Sequence, residues 1–176
     1  MNDEIDHLLF EDESMIRDYQ AIQKTWFLRG KQRIIPTTGK HRGVKLLATV
    51  DFETGQIVWQ EDEQYTAETF LTFLQKILLA YPTGKLVLVL DNARIHHAKL
   101  LQPFLEEQNK RLTLVFLPPY SPQLNIVEGL WKWLKSNVIN NVFYSTVSEI
   151  RLRVGQFMDE IMQNPCAIID RLCIRF

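Results

Sequence analysis

Apolar and polar positions recur along this chain with two periods, and each change of period marks a change of element. HLLFEDES (7–14) is a short apolar run ending in acids and predicts a strand. WFLRGKQRII (26–35) mixes apolar with basic residues, as an edge strand does. GVKLLATVDFETGQIVWQ (43–60) holds two β-rich runs around Glu53-Thr54-Gly55, the pattern of a hairpin. TAETFLTFLQKILLAY (66–81) opens on Thr-x-x-Thr and sets Phe70, Phe73, Leu74, Ile77 and Leu78 at helical spacing. KLVLVLDN (85–92) is continuously apolar, as expected of a strand buried on both faces, and RLTLVFLPP (111–119) reads the same way. HHAKLLQPFLEEQN (96–109) predicts a helix with Pro103 at a kink or in a first turn. LPPYSPQLNIVEGLWKWLKSN (117–137) is a proline-stiffened loop leading into a helix over 124–137, with Val127, Leu130, Trp131, Leu134 and Val138 as its buried stripe. SEIRLRVGQFMDEIMQ (148–163) predicts a further helix.

The later half alternates strand and helix. That order predicts an α/β fold with a partly parallel sheet and helices packed on it. In open α/β sheets, active groups gather at the carboxyl ends of the strands.

Composition refines this picture little. A chain of 176 residues, 46% hydrophobic, suits one globular domain over 1–176, without repeats, low-complexity segments or a long linker. The two cysteines, Cys166 and Cys173, lack a CxxC pair or a Cys/His set, which argues against structural zinc and a disulfide scaffold and for reduced thiols. No apolar run approaches transmembrane length, and Asp3, Glu4 and Asp6 stand where a leader would be basic and apolar. A cytoplasmic protein with no membrane partner is expected.

Charge is more informative in its distribution than in its total of −1. Residues 19–50 carry Lys24, Arg29, Lys31, Arg33, Lys40, Arg42 and Lys45 and no acid, whereas 51–68 carry only acids. Such a basic block is either a solvated face or a track for a phosphate backbone.

Three carboxylates stand out. Asp91 ends the run Leu86–Leu90, at the mouth of a buried strand, where it serves as a cap for the next helix or as a metal ligand. Strand alternation sets Leu8, Phe10 and Asp12 on one face and Leu9, Glu11 and Glu13 on the other. Asp12 is then a single acid on an apolar face, or part of an acidic strand end. Glu128 shares a polar face with Lys132 and Lys135, as an ordinary i,i+4 pair worth about 0.3–0.5 kcal/mol or as a placed functional group. The stiff segment Pro118-Pro119-x-x-Pro122 favours placement, because it leaves less entropy to lose. Carboxylates from two strand ends and one helix suit Mg²⁺, which takes oxygen ligands. Two such ions about 4 Å apart serve phosphodiester chemistry, and grouped acids without cations repel one another.

FEDES (10–14), LVLDNARIHHA (88–98) and LPPYSPQLNIVEGLWKWLK (117–135) resemble the catalytic domain of mariner-like bacterial insertion-sequence transposases, over about residues 7–160. These belong to the DDE superfamily. The resemblance implies a ribonuclease H-like α/β fold, its central sheet mixed, with antiparallel first strands, then parallel strands, and flanking helices. It implies Asp12, Asp91 and Glu128 as catalytic residues and metal ligands, with 36 residues between the last two. It also implies two Mg²⁺ ions, replaceable by Mn²⁺. The implied reaction is cleavage of transposon-end DNA by water and attack of the freed 3′-hydroxyl on target DNA, in-line and without a covalent enzyme intermediate. DNA and a second copy in the active complex are the implied partners. His96, His97, Lys132 and Lys135 are candidate phosphate contacts, as are Arg29, Lys31, Arg33, Lys40 and Arg42 of the basic block; each also reads as an ordinary surface residue. Trp131 and Trp133 are expected in the core, and Tyr120 and Ser121 are loop candidates for positioning.

Two departures from the family pattern stand out. Asn125-Ile126-Val127-Glu128 replaces the common Asn-Pro-Ile-Glu. The first strand begins within a few residues of Met1, so the resemblance implies a catalytic half without its helix-turn-helix modules, served by a separate helix-turn-helix chain and nucleoid-associated when acting on DNA. Two other readings stay open: a silent fragment that binds DNA or a partner, and a nuclease acting on RNA–DNA hybrids.

Overall fold

The computed structural model describes residues 5–18, 24, 26–31, 34–36, 42–119 and 121–172. Strands β1 (His7–Arg17), β2 (Gly43–Asp51), β3 (Ile57–Asp62), β4 (Leu86–Leu90) and β5 (Leu112–Phe116) form one sheet in the order β3-β2-β1-β4-β5. β1 and β3 both pair antiparallel with β2, while β1 with β4 and β4 with β5 are parallel. The mixed sheet expected from the sequence is therefore present. β2 and β3 form the expected hairpin, turned at Gly55, whose φ of 71° suits glycine. Asp51 Oδ1 accepts the N–H groups of Glu53 and Thr54 in that turn.

Helix α1 (Ala67–Ala80) is closed by a capping box, Thr66 and Thr69 each accepting the other's backbone N–H. Its apolar stripe covers one face of the sheet, packing Phe70, Phe73, Leu74 and Ile77 with Leu9, Leu47, Leu86 and Leu88. Helices α3 (Val127–Leu134), α4 (Val147–Met162) and α5 (Pro165–Leu172) cover the other face. There the predicted stripe Val127, Leu130, Trp131, Leu134 and Val138 packs on Ile16, Val44, Leu46 and Ala48. None of the helices among the described residues is long and apolar enough to cross a membrane.

Several expectations need correction. The described parts of 26–35 form no strand; Leu28 and Lys31 close a turn, and Trp26 is exposed. The segment joins β1 to β2, and Gly30 within it takes a φ of 77°, which interrupts an extended run. β5 is an edge strand rather than a fully buried one, with Thr113, Val115 and Phe116 exposed. The predicted helix over 96–109 is two 3₁₀ turns (Arg94–His97, Lys99–Leu101) and then α2 (Gln102–Glu107), because Ala98 between the turns is extended; Pro103 does lie in the first turn of α2. α3 starts at Val127, after a 3₁₀ turn at Pro122–Leu124, and continues into a π turn at Lys135–Ile139. α5 was not foreseen. On it, Cys166 is an exposed free thiol, while Cys173 lies outside the described residues.

Candidate active site

β1 does not end at its acids. It runs on to Arg17 on β2, so Asp12 lies mid-strand. What ends there is the pairing with β4, which covers only His7–Phe10. Beyond Phe10 the β4 side of β1 is open, and Asp91 follows directly after β4. Two carboxylates on adjacent parallel strands thus meet where the sheet splits, the usual place for a site in an open sheet.

Each acid is held by a different device. Asp12 Oδ2 accepts the indole N–H of Trp131 at 3.0 Å. Trp131 is 1% exposed, so it is core as expected, but its polar edge is aimed at the acid. Asp91 Oδ1 accepts the Ala93 N–H at 2.7 Å, so the local capping role exists together with exposure to the cleft. Asn92 Nδ2 donates to the Leu117 carbonyl at 2.6 Å and ties this turn to the end of β5. Glu128 is placed through Asn125, which is buried. Its Nδ2 donates to the Glu11 carbonyl at 2.7 Å, and its Oδ1 accepts the Val127 N–H at 3.1 Å. One side chain therefore fastens the first turn of α3 to β1 beside Asp12.

Asp12, Asp91 and Glu128 line one cleft of about 440 Å³, walled by Pro118, Pro119 and Pro122 and also reached by Ser121. Oxygens of Asp12, Glu13 and Asp91 lie within 4.8 Å of one another, and Glu128 stands outside that tight group. Burial, then the charges of Glu128 and Glu13, push the Asp12 carboxyl up to about 7, against the lowering effect of its hydrogen bonds from Glu13 N–H and Trp131. A site that penalises its own ionisation is one that a cation relieves. The acidic cluster fits a divalent metal site.

The other candidates divide. His96 is not a surface phosphate contact: it is 3% exposed, packed on Phe70, with Nδ1 3.1 Å from the Asp91 carbonyl oxygen. His97 is exposed and stacked on Phe116. Lys132 is exposed and Lys135 half-buried, and neither lines the cleft. Arg29 and Lys31 lie on the exposed 26–31 segment. Arg42 Nε bonds Asp18 Oδ2 at 3.2 Å and its Nη2 reaches the Ser145 carbonyl, so it holds the start of β2. Arg33, Lys40 and Tyr120 lie outside the described residues.

Sequence reading missed Asn125, Trp131 and Glu13. An Asx residue two places before a helix signals the first. For Trp131 the signal is its position three residues after Glu128, one turn along the same helix. Glu13 gives no sequence signal, since alternation sets it on the opposite face from Asp12.

The sequence profile described as "DDE superfamily endonuclease" matches residues 7–151. The chain belongs to this family. It is 28% identical over 159 residues to the "Insertion element IS630 uncharacterized 39 kDa protein" of Shigella sonnei, covering 90% of this chain and 46% of that protein. It is 34% identical over 86 residues to "Uncharacterized protein y4pE/y4sA" of Sinorhizobium fredii, covering 49% and 52%. The DDE chain thus spans about half the length of the curated relatives it matches. Its fold is shared with the Mos1 transposase paired-end complex with left transposon end (TM-score 0.68, 15% identity, 94% of this chain and 52% of that one). The Mos1 mariner paired end complex with Mn aligns at TM-score 0.63 and 15% identity, over 94% of this chain and 53% of that one. The fold of this family member is accordingly the ribonuclease H-like fold of mariner catalytic domains.

Proposed function

We propose that residues 1–176 form a single catalytic domain of a DNA transposase, which cuts transposon-end DNA and joins the freed 3′ end to target DNA by in-line phosphoryl transfer. The observation that carries this reading is the meeting of Asp12, Asp91 and Glu128 in one cleft, with Asp12 held against its own ionisation. These acids are the catalytic ligand set, and Mg²⁺ is the expected cation, two ions per site, with Mn²⁺ as substitute; a Mos1 complex containing Mn supports this by analogy. Bound there, the cations supply Lewis-acid activation of the attacking oxygen and charge stabilisation at the leaving oxygen. The protein's own part is positioning. Trp131 orients Asp12, the Ala93 N–H holds one oxygen of Asp91, and Asn125 sets the height of Glu128 over β1. Pro118, Pro119 and Pro122 form a wall that yields little when a phosphodiester is pressed against it.

DNA is the proposed partner, in a complex holding two copies of the chain and helix-turn-helix modules that read the ends. The proposed place of action is the bacterial cytoplasm, at the nucleoid. The test incubates the purified chain with labelled transposon-end duplex and Mn²⁺ or Mg²⁺, with and without a helix-turn-helix chain. Metal-dependent nicking at the transposon end is expected. Cleavage confined to RNA–DNA hybrids, or none with any partner, would sink the transposase reading.

A further inference from the structure

The odd-numbered face of β1 carries a second group of ligand-type side chains that the proposed reaction does not use. Glu11 is 0% exposed, and neither of its carboxylate oxygens has a hydrogen-bond partner. His96 Nε2 faces it, 3.6 Å from Glu11 Oε2 and 3.3 Å from Glu13 Oε1, and is likewise without a hydrogen bond. The other ring nitrogen decides how this looks. Nδ1 lies 3.1 Å from the Asp91 carbonyl oxygen, which can only accept, so Nδ1 carries a proton and donates it there. In the neutral ring that leaves the Nε2 lone pair pointing at two carboxylates. Lone pair against carboxylate oxygens is repulsive unless a proton or a metal ion stands between them, and buried acids without compensation are costly.

The separations suit a metal better than a hydrogen bond. Ligand atoms around a tetrahedral zinc ion, with bonds of about 2.0–2.2 Å, stand about 3.3–3.6 Å apart. The two imidazole–carboxylate distances fall at those values, and atoms of Glu11, Glu13 and His96 all lie within 4.8 Å of one another. Two carboxylates and a neutral imidazole carry the charge that a dication cancels, and imidazole favours a first-row transition ion over Mg²⁺.

We propose that Glu11, Glu13 and His96 form a structural site for Zn²⁺ that adjoins the Asp12–Asp91–Glu128 cleft, Glu13 lying between the two groups and His96 Nδ1 standing 3.3 Å from Asp91 Oδ1. The three side chains offer one ligand atom each, which leaves a fourth position of the tetrahedron to a non-protein ligand. Zinc held there fixes the His96 ring, and through its Nδ1–H the backbone of Asp91, which couples a buried metal to the geometry of the cleft. The site requires no cysteine.

The experiment reads zinc in the full chain carrying Asp12→Asn, Asp91→Asn and Glu128→Gln together, so that loss of the proposed catalytic ligands and of cleavage leaves the measurement intact. After chelator treatment, Zn²⁺ is titrated by calorimetry, and Co²⁺ is followed by its visible absorption. One equivalent of Zn²⁺ is expected in the triple-substituted chain, with a rise in Tm and the intense Co²⁺ bands of a low-coordinate site, while the original chain takes up more because its cleft acids bind Zn²⁺ as well. Adding Glu11→Gln or His96→Gln should weaken Zn²⁺ binding at least about tenfold and abolish the Tm rise. Circular dichroism checks that each variant is folded; should one fail to fold, Glu13→Gln serves in its place. No Zn²⁺ uptake by the triple-substituted chain, or unchanged affinity in the folded ligand variants, overturns the site.

Discussion

The two faces of β1 handle their acids in opposite ways. On the even face, Asp12 opens onto a cleft and receives a hydrogen bond from a buried indole. On the odd face, one residue away, Glu11 is buried on the side that α1 covers, with no hydrogen bond to either oxygen. The backbone pattern is the same for both; the helix packed on each face makes the difference. α3 presents Trp131 and Glu128, a donor and a second acid, at the place where β4 stops covering β1. α1 presents Phe70 and, with His96, closes the opposite side. An acid on a strand faces an open cleft or is sealed without a partner according to what the facing layer brings.

The strongest way to break this comparison is Asp91→Ala. Cleavage should fall at least about a thousandfold if Asp91 is the metal ligand proposed for the reacting phosphate. The loss in stability should stay within about 0.5–2 kcal/mol, the worth of the hydrogen bond to Ala93. Nicking assays and thermal melts on one preparation separate the two; nicking at the original rate excludes Asp91 as a ligand.

The pH dependence of stability sharpens the even-face half. The Asp12 carboxyl of the folded chain stands at about 7, above its ordinary 3.8, so without metal the folded state holds the proton more tightly than the unfolded chain. Stability from this group is therefore full below pH about 4 and falls as pH rises to about 7, by no more than about 4 kcal/mol. Urea melts across that range should show the decline, and Asp12→Asn should reduce it, the buried Glu11 carboxyl, which burial also raises, supplying the remainder. A rise in stability over the same window would contradict the sign.

Smaller effects are expected at the supports. Asn125→Ala leaves the Glu11 carbonyl and the Val127 N–H unpartnered and should cost about 1–3 kcal/mol. It should also slow cleavage by displacing Glu128, whereas a substitution that costs stability but not rate would make Asn125 purely structural. The smallest effect concerns DNA. Lys31→Ala should lower the salt dependence of DNA binding by about one phosphate contact, uniformly across sequences. Arg42→Ala should instead lower Tm by removing the bond to Asp18, with little change in the salt slope. Equal slopes for Lys31→Ala and the unsubstituted chain would remove Lys31 from the DNA track.

Much of this arrangement is legible in the residues. The period-2 and helical runs announce β1, the β2–β3 hairpin, α1, β4 and α4, because each buries one stripe or face and its apolar spacing has to match. The three motif acids could be singled out because each interrupts or follows an apolar run. Their grouping was read from a family resemblance, and the cleft brings them together. Less was legible where an element depends on neighbours. β5 is as apolar as a central strand yet lies at the edge, since strand order is not a property of one strand. The segment 26–35 has strand-like composition but turns at Gly30. His96 and His97 are adjacent and chemically alike, but one packs on Phe70 in the interior and the other on Phe116 at the surface.

By itself the sequence determined which faces are apolar, which acids are available and where the chain turns, because these follow from local spacing and backbone preference. Only the tertiary structure decided that Trp131 would reach Asp12, that Asn125 would fasten α3 to β1, and that Glu11 would be sealed beside His96. Those contacts join residues 114 and 119 positions apart in the first two cases. At such separations no local preference acts; the partners are set by how layers pack, and burial then fixes the charge each acid can carry.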